Sequence, residues 1–109
     1  MGDINVVMLY IPCGGEEEAN RIARTLLDEH LIACANIYQT RSLYRWEGQV
    51  ADEAEWVIMC KTTPEGATEV ERRVLELHSY GVPCVLRIEP VHANSAYGAW
   101  VESEVAIGQ

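Results

Sequence analysis

Basic residues are scarce in this chain. Only 8 Lys and Arg stand against 17 Asp and Glu, a formal net charge of −9 over 109 residues. A protein that grips a nucleic-acid backbone needs a clustered Lys/Arg face. None occurs here, and nucleic acid is not expected as a partner. Long apolar runs are missing as well. Ile4–Ile11 is too short to cross a bilayer and follows Asp3 rather than a basic residue, so neither a membrane span nor an export signal is expected. The cysteines Cys13, Cys34, Cys60 and Cys84 include no Cys-x-x-Cys pair. With no export signal, reduced thiols and a cytoplasmic location are the expectation. Linkers, solenoid repeats and low-complexity segments are absent too, which leaves one domain over residues 1–109, long enough for a single core.

What is present divides cleanly by period. Val6–Ile11 is a continuous apolar run of the kind a strand buried on both faces requires. Pro12-Cys13-Gly14-Gly15 is expected to break it. Ala19, Ile22, Ala23, Leu26 and Leu27 then follow at helical spacing. Glu16, Glu17 and Glu18 precede them, where carboxylates favour the helix dipole. This helix should end near His30. Ala33–Trp46 and Gln49–Thr62 read as one long hairpin meeting near Trp46-Glu47-Gly48. Thr63 and Pro64 suit the start of a second helix, whose inner face is Val70, Val74 and Leu77. Cys84–Val91 alternates like a half-exposed strand. Asn94 or Ser95 then caps a short helix carrying Tyr97, Trp100, Val101 and Val105 on one side.

The resulting order, β-α-β-β-α-β plus a C-terminal helix, is an α+β, ferredoxin-like arrangement. Two helices on one face of a sheet leave the other face bare. Tyr38, Tyr44, Trp46 and Trp56 are too apolar to stay in water, so they are expected at contacts between copies of the chain.

Ala33-Cys34-Ala35-Asn36-Ile37, Ser42-Leu43-Tyr44-Arg45-Trp46-Glu47-Gly48, Lys61-Thr62-Thr63, His78-x-Tyr80-x-x-Pro83 and Tyr97-x-x-Trp100 resemble the CutA divalent-cation tolerance proteins in order and spacing. The resemblance covers nearly the whole chain. It implies a ferredoxin-like subunit in a tight homotrimer and a link to copper and other divalent metals, with no established reaction. Some members of the family are credited with copper ligands that include a first-strand Cys and two adjacent His near the loop. Here Leu77 precedes His78, Ser79 and Gly81 replace the family's Pro and Glu, and Cys84 stands where an acid is common. Only His78 carries over.

Thiolate and imidazole suit copper and zinc, and the expected metal ligands are His78, Cys34 and Cys84, with Cys13 a further candidate. No organic cofactor is expected. Cys60 sits in an apolar strand and reads as a core residue, while His30 and His92 read as surface residues. Lys61, Tyr80, Tyr97 and Trp100 are the residues expected around a pocket. A PII-like regulatory trimer with a small molecule between subunits is the alternative, by fold analogy alone. Arg41 and Lys61 are its only candidate anion contacts, and the three glutamates at the first helix oppose phosphate there. No nucleophile–base grouping is readable from spacing, and the first loop lacks an arginine to cradle a phosphate. The chain is not expected to be an enzyme.

Overall fold

The computed structural model describes residues 6–89 and 92–107. The elements run β1 (Val7–Cys13), α1 (Glu16–Asp28), β2 (Cys34–Trp46), β3 (Gln49–Thr62), α2 (Pro64–Leu77), β4 (Leu86–Ile88) and α3 (Ser95–Glu104). The strands form one antiparallel sheet in the order β2-β3-β1-β4. This is the split βαβ arrangement that the element order calls for.

β1 runs two residues further than the Pro-Cys-Gly-Gly break suggested. Pro12 stays in the ladder opposite Val57, and Cys13 lies opposite Trp56. Proline is tolerated because β4 pairs only with Met8–Tyr10, so on that side no N–H is needed at Pro12. The same proline limits β4. Extending the register would set Cys84 opposite Pro12, and the strand begins only at Leu86. The expected strand Cys84–Val91 is therefore much shorter, and its last two positions fall outside the described residues.

The period-2 pattern sends Val7, Leu9, Ile11 and Cys13 to one face, where α1 and α2 cover them with Ile22, Leu26, Val70 and Val74. Leu27, counted with the inner face from sequence, is largely exposed. Thr63 caps α2 by accepting from the Gly66 N–H at 3.0 Å. Gly66 itself permits a close approach. A Cβ there would overlap the Thr62 hydroxyl and stand 3.0 Å from the Leu31 carbonyl oxygen. α1 and α2 are clasped at the surface by the two-pronged Arg73–Glu29 pair.

The β2–β3 hairpin has strands of 13 and 14 residues, longer than the usual 3–10. It turns through Glu47 and Gly48, both at positive φ (50° and 78°), the two-residue turn whose twist matches antiparallel strands. Its outer half projects beyond the helices, and the molecule measures 51 × 27 × 19 Å. On the sheet face away from α1 and α2, Tyr38 is 45% exposed, Trp46 53% and Leu86 55%. Tyr44 shares that face. Trp56 does not, because it pairs with Cys13 and packs partly buried against the core.

Candidate functional site

Three elements meet where β1 ends. Extension of β1 through Pro12 turns the Cys13 side chain inward, beneath α1 and fully buried. Glu18, in the first turn of α1, projects back over that strand end. His78, the residue that ends α2, closes the third side with a wholly buried imidazole. Among the described residues, these supply the one grouping of three His, Cys or acidic side chains whose ligand atoms lie within 4.8 Å of one another.

The hydrogen bonds fix the state of each donor. The Tyr80 N–H donates to His78 Nδ1 at 3.1 Å, so the ring proton sits on Nε2, which donates to the Pro12 carbonyl at 2.8 Å. The Ser79 N–H donates to Glu18 Oε2 at 2.8 Å, and that oxygen lies 4.0 Å from His78 Nδ1. Burial pushes the Glu18 pKa up, but hydrogen bonds from Ser79, with His78 and the Gly14 amide beside it, outweigh burial and hold it below the usual carboxylate range. Cys13 goes the other way. Burial, aided by Glu18 and Glu55, raises its thiol to about 12, so its place next to a helix start gives no reactive thiolate.

Tyr80 links this cluster to the opposite face of the sheet. Its ring packs on His78 with centroids 4.7 Å apart. Its hydroxyl donates to Glu55 Oε2 at 2.9 Å. Glu55 is a buried carboxylate in the wall of a cavity of about 820 Å³ that Tyr10, Tyr44, Trp46, Glu53 and Cys84 also line.

The residues expected as one metal crevice are distributed differently. Cys84 lies on the cavity side of Tyr80. Cys34 starts β2 opposite Lys61, level with Met8, whereas His78 is bonded at Pro12, roughly 13 Å further along β1 at strand spacing. The Cys34 thiol instead meets the Tyr97 hydroxyl at 3.4 Å. The expected pocket likewise divides. Lys61 is bound to Asn36 Oδ1 and, with Tyr97 stacked near Trp100, stands at the Cys34 end, while Tyr80 stands at the His78 end. Arg41 is held by both oxygens of Asp52. Cys60 is a core residue as expected, donating weakly to the Leu9 carbonyl. Glu18 was not singled out from sequence. The available signal was the alternation Val7, Leu9, Ile11, Cys13, which continues through Pro12 and turns Cys13 toward the helices.

Comparison with known proteins agrees with the fold. Residues 7–104 match the family model of the CutA1 divalent ion tolerance protein. The chain is 35% identical over 99 residues to the divalent-cation tolerance protein CutA of Pyrococcus horikoshii, covering 91% of this chain and 97% of that one. The crystal structure of the divalent ion tolerance protein CutA1 from Ehrlichia chaffeensis superposes with a TM-score of 0.90 at 33% identity, over 97% of this chain and all of the other. A structure described as the periplasmic divalent cation tolerance protein CutA from Archaeoglobus fulgidus gives 0.90 at 34% identity, over 93% and 99%.

Proposed function

The chain belongs to the CutA1 divalent ion tolerance protein family, and from that premise we propose that it is a non-enzymatic cytoplasmic homotrimer that binds copper or another divalent metal weakly. The observation that carries the metal reading is the convergence of Cys13, Glu18 and His78. A thiol, a carboxylate and an imidazole form a donor set suited to zinc and copper ions. Bound there, such an ion is sequestered rather than used for catalysis. Weak binding follows from the resting state, in which the thiol holds its proton and both other donors are already hydrogen-bonded.

Titration of Zn(II) into the reduced protein tests the site. Wild type is expected to bind in the micromolar range or weaker, and Cys13→Ala or Glu18→Gln to lose at least tenfold. Cys34→Ala and Cys84→Ala, which lie outside the cluster, are expected to leave the isotherm unchanged. Equal binding by wild type and Cys13→Ala removes this assignment. The trimer is supported by the bare aromatic face carrying Tyr38, Tyr44 and Trp46. A nucleotide-binding regulatory role gains no support, because its two candidate cations, Arg41 and Lys61, are already engaged.

A further inference from the structure

The cluster is closed by backbone. Glu18 Oε2 and His78 Nδ1, the atoms that face each other at 4.0 Å, accept the amides of two successive residues, Ser79 and Tyr80. Donors around a tetrahedral zinc stand roughly 3.3–3.8 Å apart, given bonds of 2.0–2.3 Å. The present spread of up to 4.8 Å must therefore contract. It cannot do so through His78 while the Tyr80 amide occupies the single lone pair of Nδ1, whereas the Glu18 carboxylate has acceptor sites to spare beside the Ser79 amide.

We infer that a thiophilic cation enters this cluster only by displacing the Tyr80 amide from His78 Nδ1, so that loading the site releases Tyr80 and the loop that follows it to Pro83. This rests on the metal reading above and states how that site is regulated. Beyond the two amides, the segment is held by the Tyr80 ring against His78 and by the Tyr80 hydroxyl on Glu55. Gly81 and Val82 beyond it are exposed. Displacement of the Tyr80 amide pulls on the same residue that anchors to Glu55, so occupancy on the helix side of the sheet is transmitted to the cavity on the other side. Coordination of Cys13 forms a metal–sulfur bond in place of its S–H bond, and the proton leaves to solvent. Hard cations such as Mg(II) gain little from a thiolate and are not expected to displace the Tyr80 amide.

Hydrogen exchange with Zn(II) as the probe reads this directly. The Tyr80 amide of the reduced wild type is expected to exchange at least tenfold faster with Zn(II), and unchanged with Mg(II). Tyr80→Phe keeps the ring and removes the Glu55 anchor, and its Zn(II) affinity is expected to rise, by up to about ten- to a hundredfold if the whole worth of one hydrogen bond to a charged group is recovered. Gly14→Ala offers a second route, since a Cβ there lies 3.0 Å from the Tyr80 hydroxyl and crowds the closed position. If Zn(II) binds wild type and not Cys13→Ala, yet the Tyr80 amide exchanges no faster, the gating is wrong while the metal site stands. If Cys13→Ala and Glu18→Gln, each folded by circular dichroism, bind as wild type does, the site itself is wrong and the gating falls with it.

Discussion

Single side chains here are governed chiefly by desolvation. Burial raises the Cys60 thiol to about 12 from an ordinary value of 9.0, with the nearby Cys34 adding to it. The folded state thus holds a proton that the unfolded state gives up above pH 9. Stability is complete below that pH and falls as pH climbs from 9 toward 12, at up to about 1.4 kcal/mol per unit for one group. Urea unfolding at pH 8, 9.5 and 10.5 under reducing conditions is expected to show this decline. Cys60→Ala should lower the starting stability yet flatten the slope by one proton. Cys13, and Tyr97 through burial and its Cys34 contact, shift in the same direction, so the remaining slope should not vanish. A slope unchanged by Cys60→Ala would show that this thiol is not protonated by its surroundings.

At the scale of elements, the hairpin and the end of β1 matter most. The turn demands positive φ at both Glu47 and Gly48. Glycine meets that freely and glutamate does not, whereas asparagine tolerates the left-handed region. Glu47→Asn is therefore expected to stabilise the chain by about 0.5–1 kcal/mol, measured as a raised unfolding midpoint at unchanged m-value. The end of β1 shows how an element boundary can conceal a site. A break at Pro12 leaves Cys13 in a loop. Continuation of the strand sends it under the helices, where it meets α1 through Glu18 and the end of α2 through His78.

For the whole molecule, the imbalance between the two faces of the sheet is the dominant fact. One face is covered by α1 and α2, and the other presents Tyr38, Tyr44, Trp46, Leu86 and Ile88. Covering such side chains yields roughly 25 cal/mol per Å² of apolar surface, a strong drive toward association. Sedimentation equilibrium is expected to give three times the 12.2 kDa chain mass. Tyr38→Glu together with Trp46→Glu should shift the population toward monomer. A folded, single-chain wild-type species at micromolar concentration would contradict the trimer.

The order of elements, the hairpin and the faces of α1 and α2 were legible in the chain itself. They follow from periods of 2 and 3.6 in neighbouring residues, which local geometry dictates. So was the inward role of Cys60, set in an apolar strand. Which chemistry-bearing residues meet was not legible. Cys13, Glu18 and His78 come together because β1 lies inside the sheet and α1 begins, and α2 ends, over the same strand terminus. Cys34 parts from His78 because β3 separates β2 from β1 and the register starts Cys34 at the far end. Strand order and register are settled by long-range packing, and no local spacing in the sequence encodes them.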